Sequence, residues 1–300
     1  MRNLKRALSL TLASVMLLGM MVVGSSALSF NDADDISNVT AATVLEELGV
    51  MQGDGKGNFM PEQTVTRAQM AIIICRIMFG NRLNVDTLAT EGRFTDVAPG
   101  EYYTGFVNFA AEQGIIGGYG DGRFGPDDTV TTAQAALMLC RGLGYYKAGE
   151  DNGDWGTVSL NAISLATRLK MFGDLRLGTN DLLARDNVAE MVFNTMTKAV
   201  PVMYNATWNL YYTDSKNVLG GTSFNYLNSW AYQNYDLVYK NVIDDLGNMN
   251  TRWGIGKASS VDPKGHLAGT VPNAEYKRLI DEDTAPILTY DSNKTHKGSH

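Results

Sequence analysis

The sequence is poor in basic residues and histidine, and each shortage excludes a class of function. Lys and Arg number 25 against 32 Asp and Glu, which gives a formal net charge of −7. Neutralising phosphates requires a basic surface, so a nucleic acid is a poor candidate partner. The histidines have neither metal-ligand nor catalytic-triad spacing: His266, His296 and His300. We therefore predict no metal site, no cofactor and no catalytic residue.

Cysteine is also scarce, since Cys75 and Cys140 are the only two. Both lie inside apolar helical runs, at equivalent places in a duplicated segment. In an exported protein an even number of cysteines permits a disulfide. Buried free thiols are the commoner outcome in such apolar runs, and we favour them over the disulfide.

The N-terminus has the pattern of an export signal. Three basic residues within the first six precede an apolar stretch at 7–23, and small residues follow at Ser25 and Ala27. We predict a signal peptide over 1–27 and a secreted protein of the cell wall or cell surface. A retained membrane anchor is the alternative, because the apolar stretch is just long enough to span a bilayer. After removal of the signal we expect no stable membrane span.

An internal repeat is the strongest feature of the sequence. With a shift of 65 residues, 49–76 matches 114–141 at 14 of 28 positions, and "TVTRAQMAIIICR" becomes "TVTTAQAALMLCR". A weaker third copy follows when Arg185 is aligned with Arg67, although its loop is three residues shorter. Self-similarity at such a period indicates a repeat architecture.

Each copy predicts a helix, a Gly-rich loop and a second helix. Thr66 and Thr131 are placed to cap the second helix, and Gln69 and Gln134 complete capping boxes. One unit of about 50 residues cannot bury its apolar face alone. We therefore predict a mostly α fold, in which three helix–loop–helix units form a pseudo-threefold bundle.

The predicted organisation has four parts after the signal peptide. The repeats cover 28–80, 91–146 and 150–200, and a strand-rich region covers 201–300. That last region is rich in Tyr, Asn, Thr and Trp and lacks a helical period. We predict that the stretch "TAPILTY" is an isolated strand without a visible partner. We also predict that the chain is a fragment of something longer.

The repeats resemble the S-layer homology domain. The resemblance rests on "SFNDA" at 29–33, "RFTDV" at 93–97 and "AAEQGIIGGYGDGRFGPDDTVTTAQ" at 110–134. It implies non-catalytic attachment, through grooves of a three-pronged helical unit that bind secondary cell-wall polysaccharide, often through a pyruvylated amino sugar. Thr132 replaces the family's Arg, and Ala184 replaces a capping Thr. We therefore expect the three grooves to bind unequally.

Arg67 and Arg185 are the leading candidates for contacting an acidic group of the polysaccharide. Each is predicted in the first turn of a helix, where the macrodipole disfavours a cation by a few tenths to about 1 kcal/mol. The placement is explained if the guanidinium and free backbone N–H groups converge on an external carboxylate. The alternative is pairing with an Asp or Glu of a neighbouring repeat, and Asp186 is expected to quench part of the Arg185 charge. We expect Arg67→Ala to weaken wall binding more than Thr132→Ala, with little change in thermal stability.

The other candidate ligand-binding residues each have a structural alternative. Asp32 and Asp96 are candidates for accepting sugar hydroxyls, or for capping a helix or pairing with an Arg. Small residues in the loops allow a ligand to approach or satisfy turn geometry, and aromatic residues stack on a sugar or join the core. These remaining candidates are Gly53, Gly118, Tyr119, Trp155, Gln69 and Gln134.

The predicted function is attachment of an exported protein to the cell envelope by binding anionic, pyruvylated secondary cell-wall polysaccharide. One alternative is the targeting module of an enzyme that processes cell-wall glycan. Another is a structural subunit of an S-layer lattice, which would have other S-layer subunits as partners.

Overall fold

The structure is a computed structural model, and it describes most of the repeat region and parts of the region that follows. The described residues are 30–80, 83–84, 88, 90–146, 154–205, 210–214, 217–218, 226–243, 249–256, 276–280 and 288–289. The predicted signal peptide and the three histidines lie outside these ranges. Within them, no helix combines the length and apolar character needed to cross a bilayer.

Each predicted repeat contains two helices. In chain order they are α1 (Val39–Glu47), α2 (Arg67–Phe79), α3 (Thr104–Glu112), α4 (Thr132–Gly142), α5 (Trp155–Arg168) and α6 (Arg185–Lys198). A 3₁₀ turn at Ala33–Asp35 precedes α1. The predicted mostly helical fold is confirmed.

Capping boxes start the second helix of the first two repeats. The Gln69 N–H donates to Thr66 Oγ1 at 3.3 Å, and the Thr66 N–H donates to Gln69 Oε1 at 3.0 Å. Thr131 and Gln134 make the same pair of bonds. At Ala184, the corresponding cap residue of α6, no side chain accepts a hydrogen bond. The first two repeats therefore satisfy their helix starts locally, as the sequence predicts.

A closed cycle of backbone hydrogen bonds joins the three repeats just before their second helices. The Val65 N–H donates to Leu183 O, the Leu183 N–H to Val130 O, and the Val130 N–H to Val65 O, at 3.0, 3.1 and 3.0 Å. Each repeat therefore donates to one neighbour and accepts from the other. Such a cycle closes the bundle around a pseudo-threefold axis, as predicted.

Helix packing crosses the repeat boundaries. The first helix of each repeat lies against the second helix of the preceding repeat, so that α3 packs on α2, α5 on α4 and α1 on α6. Apolar residues of all three repeats form one buried core. The two helices that pack together therefore come from different repeats. Each pair consists of the first helix of one repeat and the second helix of the preceding repeat.

Antiparallel strands follow the repeats. The strands β1 (Met203–Asn205), β2 (Leu210–Asp214) and β3 (Asn217–Val218) form one sheet. After the short helix α7 (Trp230–Tyr235), a second sheet contains β4 (Leu237–Ile243), β5 (Met249–Gly256), β6 (Tyr276–Ile280) and β7 (Leu288–Thr289). The prediction that "TAPILTY" has no partner is wrong, because β7 pairs with β6, with Leu288 opposite Leu279.

Both cysteines are free and buried, so the prediction of thiols is confirmed. Cys75 lies in α2 and Cys140 lies in α4. Burial raises the pKa of each thiol to about 12. At neutral pH both are protonated, and they pack as small apolar side chains.

Candidate functional site

The start of each second helix lies against the loop of the following repeat. We name these contacts by the first helical residue. The Arg67 interface places α2 against loop 117–128, the Thr132 interface places α4 against loop 173–181, and the Arg185 interface places α6 against loop 52–63. The three are equivalent by the pseudo-threefold relation, and they contain most of the predicted site residues.

First-turn N–H groups at all three interfaces donate to loop carbonyl groups. The Arg67 N–H donates to Asp128 O at 2.9 Å and the Ala68 N–H donates to Pro126 O at 3.1 Å. The other two interfaces repeat this pattern. The expectation that free N–H groups await an external carboxylate is therefore wrong, because the neighbouring repeat occupies them.

Arg67 holds the loop of the second repeat. Its Nε donates to Phe124 O and its Nη2 donates to Gly117 O, each at 2.8 Å. The guanidinium carbon lies 4.7 Å from the centroid of the Phe124 ring and 5.0 Å from that of the Tyr119 ring. Only 7% of Arg67 is exposed. This arrangement combines hydrogen bonds with cation–π contacts, so the side chain contributes to folding.

Arg185 repeats the arrangement at its own interface. Its Nε donates to Phe59 O and its Nη2 donates to Gln52 O, each at 2.9 Å, and the Phe59 ring lies 5.0 Å from the guanidinium carbon. Asp186 does not quench this charge as expected. Its carboxylate instead accepts hydrogen bonds from the backbone and side-chain N–H groups of Asn38, because α1 packs against α6.

Both guanidinium groups are cations without an ion-pair partner in the described part of the chain. There, neither lies within 4.0 Å of a carboxylate, which removes the alternative that they pair with an acid of the next repeat. Burial lowers the pKa of Arg67, while Tyr119 and Asp128 raise it. Burial likewise lowers the pKa of Arg185, which Glu46 raises. Arginine keeps its proton at neutral pH, so each interface holds a partly desolvated positive charge.

Thr132 lies at an interface with a shorter loop. It is fully buried, and its Oγ1 donates to Asp181 O at 3.3 Å. The position that corresponds to Phe59 and Phe124 is Leu177, so this loop offers no aromatic ring to cover a guanidinium. Thr132, which replaces the Arg, therefore faces a loop that has no aromatic ring for a guanidinium to pack against.

Asp32 and Asp96 hold the loops of their own repeats. Asp32 accepts hydrogen bonds from the N–H groups of Phe59 and Met60, at 2.8 and 2.7 Å. Asp96 accepts equivalent bonds from Phe124 and Gly125, each at 2.8 Å. Burial raises the pKa of Asp96, but these two N–H groups outweigh it and lower that pKa overall. Neither acid caps a first helix or pairs with an Arg within the described residues.

The two candidate glycines are required by close backbone approach. A Cβ at Gly53 would overlap the carbonyl oxygen of Asn58, and one at Gly118 would overlap that of Arg123. Turn geometry therefore explains both. Tyr119 is 47% exposed and donates its hydroxyl to Asp128 Oδ2 at 2.7 Å, so part of its ring faces solvent above Arg67.

Trp155 is the first residue of α5 and is 49% exposed. The alternative that it belongs to the core is wrong. Sequence reasoning missed Phe59 and Phe124, whose rings cover the two guanidinium groups. The presence of Phe at both equivalent positions of the first two repeats was the sequence signal that could have identified them. It also missed Glu46, which accepts a hydrogen bond from the Gly53 N–H at 3.0 Å.

The Arg67 interface is built from two segments that match a known family. Residues 29–71 and 93–136 match the S-layer homology domain. The S-layer homology domain is a binding and anchoring module for cell-wall polymers, and both matched segments include a second-helix start. The third repeat lies outside the matched residues, so its membership of the family stays a prediction.

Similar proteins are named as surface proteins and, in part, as enzymes. A "Cell surface protein" of Thermoanaerobacter kivui is 28% identical over 222 residues, which are 73% of this chain and 27% of that protein. A "Surface layer protein" of Brevibacillus choshinensis is 32% identical over 144 residues, covering 47% and 13%. An "Exoglucanase XynX" of Acetivibrio thermocellus is 30% identical over 114 residues, covering 38% and 10%.

The chain spans at most 27% of the length of these relatives. The family and the names of the two surface proteins indicate a secreted protein of the cell wall or cell surface.

Proposed function

We propose that the helical bundle attaches an exported protein to the cell envelope by binding an anionic secondary cell-wall polysaccharide. The observation that carries the proposal is the pair of partly desolvated guanidinium groups at the Arg67 and Arg185 interfaces. Each uses Nε and Nη2 to hold a loop, and for neither does Nη1 donate a hydrogen bond to the described residues. A sugar carboxylate, such as that of a pyruvyl group, would supply the missing negative charge.

The Arg67 interface is the better site of the two. Tyr119 provides a half-exposed ring beside the guanidinium, and aromatic faces suit the apolar face of a sugar. The Arg185 interface has Asp54 at the position that corresponds to Tyr119, so it lacks this second aromatic ring. We therefore expect the Arg67 interface to bind more tightly.

The Thr132 interface is not expected to bind the acidic group. It has no cation at the helix start, and Thr132 is fully buried against Asp181 O. A polymer would therefore contact two of the three interfaces through its charge. Such two-point attachment raises the strength of anchoring without any additional type of contact.

Co-sedimentation with isolated walls tests the proposal. Arg67→Gln keeps an amide donor but removes the charge, so we expect about tenfold to hundredfold weaker wall binding. Arg76→Gln is the matched control, because Arg76 is also largely buried and donates to Val50 O, but stands in the last turn of α2. Both variants need an unchanged helical circular dichroism spectrum.

A second experiment measures co-sedimentation with walls from which the pyruvyl groups have been removed. We expect wild-type binding to fall below the level of the Arg67→Gln variant, because stripping removes the acidic partner of both Arg67 and Arg185. Equal binding to stripped walls, or an equal loss in Arg76→Gln, would contradict the carboxylate mechanism. Release of reducing sugar by the full-length protein would favour the targeting module of an enzyme, and ordered assembly without walls would favour a lattice subunit.

A further inference from the structure

The opposite end of the bundle carries a contact that the wall-binding proposal does not use. We define the docking segment as residues 226–243 and 249–256, which contain α7, β4 and β5. The repeat interfaces lie at the N-terminal ends of the second helices, whereas this segment contacts the C-terminal ends of α2 and α4 and the C-terminal half of α6. The segment therefore binds away from the proposed polysaccharide sites.

Side chains of α7 satisfy the last carbonyl groups of α2. Asn234 Nδ2 donates to Ile77 O at 2.7 Å and to Met78 O at 2.9 Å, and the Tyr235 hydroxyl donates to Arg76 O at 2.7 Å. The last four carbonyl groups of a helix have no partner inside the helix. In α2, three of these carbonyl groups accept hydrogen bonds from side chains of the docking segment.

Apolar contacts extend the junction to the second and third repeats. Trp230 is 6% exposed, and its ring lies 3.5 Å from the place where a Cβ of Gly142 would stand, at the end of α4. The Trp253 ring of β5 packs edge-on against Phe193 of α6, with centroids 5.1 Å apart. One segment thus contacts the second helix of every repeat.

Glycines in the repeats leave room for this contact. A Cβ at Gly80, which ends α2 with φ of 54°, would lie 3.0 Å from Asn234 O. Gly142 occupies the last position of α4 beside Trp230. A larger residue at Gly80 would therefore crowd the docking segment, whereas one at Gly142 would first crowd Ile74 and Met78 of α2.

The docking segment is also organised internally. The buried hydroxyl of Tyr226 donates to Leu237 O at 2.9 Å, and the Tyr226 and Tyr239 rings lie 6.1 Å apart. Ser229 Oγ caps α7 by accepting from the Tyr232 N–H at 3.3 Å. The contacts to the bundle therefore come from an ordered unit rather than from a trailing chain.

We propose that the docking segment is a mechanical adaptor that ties the C-terminal halves of all three second helices together. The chain leaves α6 at Lys198. A pull on downstream sequence would otherwise act on α6 alone and break its hydrogen bonds one after another. With the segment docked, the same pull is shared by α2, α4 and α6, so the helical anchor is completed by sequence beyond the third repeat.

Hydrogen exchange of the full-length protein tests the proposal. In Trp230→Ala we expect exchange about tenfold or more faster in the last turns of α2, α4 and α6. The first turns, at the repeat interfaces, should change little. Leu160→Ala is the control, because Leu160 lies on α5 and is 63% exposed. Exchange in the last turns that matches the control would overturn the proposal.

Asn234→Ala is a milder variant that decides the question if Trp230→Ala does not fold. It removes two hydrogen bonds to α2 and leaves the apolar contacts in place, so faster exchange is expected in the last turn of α2 alone. Pulling single molecules from the C-terminus gives a second readout, in which Asn234→Ala should unfold at a lower force than Leu160→Ala. Unchanged exchange in α2 together with an unchanged unfolding force would reject the adaptor.

Discussion

Replacing Arg67 with alanine removes the side chain that joins the first repeat to the loop of the second. Two carbonyl groups, those of Phe124 and Gly117, lose their charged donor, and two aromatic rings lose the guanidinium between them. A hydrogen bond to a charged group contributes about 1.5–3 kcal/mol. Burial of the cation, which lowers the pKa of Arg67, offsets part of this sum.

We therefore expect Arg67→Ala to lower the free energy of unfolding by about 2–4 kcal/mol. For a chain of this size that corresponds to a midpoint about 5–15 °C lower. The sequence had suggested little change in stability, and the contacts made by the side chain overturn that expectation. Wall binding by this variant would consequently report on folding as well as on charge, which is why Arg67→Gln is the better binding test.

Thr132→Ala is the matched comparison at the equivalent position. It removes one hydroxyl whose bond to Asp181 O is long, at 3.3 Å, so the expected loss is about 0.5–1.5 kcal/mol. Urea and thermal unfolding, followed by circular dichroism at 222 nm, measure both variants. Equal losses, or a loss below about 1 kcal/mol for Arg67→Ala, would refute the loop-holding role of Arg67.

Three further predictions concern the scaffold. Because Cys75 and Cys140 are buried with pKa values of about 12, we expect no reaction with a thiol reagent at pH 8 until the protein unfolds; rapid labelling of the native protein would contradict this. The pKa of Asp96 lies below its ordinary 3.8, so its stabilisation is present above that pH and is lost as the pH falls through the folded pKa. Asp96→Asn should cost about 1 kcal/mol at pH 7 and progressively less as the pH falls below 3.8, and a pH-independent difference in denaturant unfolding would argue against it. Gly118→Ala should cost about 1–3 kcal/mol by overlap with a loop carbonyl, and a thermal midpoint equal to that of the wild type would contradict this.

Local features were predictable because their partners are near in sequence. Thr66 and Gln69 form a capping box over three residues, and the apolar phase of α2 recurs in α6 with Val188 and Met191 fully buried. The burial of the cysteines followed from the same helical pattern. Such features depend on backbone geometry and periodicity, which a sequence contains directly.

The role of Arg67 was not predictable, since its acceptors are 50 and 57 residues away. The macrodipole argument correctly marked its position as unusual but assumed free N–H groups. Those groups are occupied by a neighbouring loop, and the ring of Tyr119 lies beside the guanidinium. Both facts depend on how one repeat meets the next.

The sequence by itself determined three helix–loop–helix units, their caps and buried faces, and their resemblance to S-layer homology domains. Only the tertiary structure decided that each first helix packs on the preceding repeat, and that residues beyond the third repeat join the bundle ends. The physical reason is that repeated copies carry nearly the same apolar faces. Packing within a repeat and packing between repeats therefore look alike in sequence, and only the observed contacts between first and second helices distinguish them.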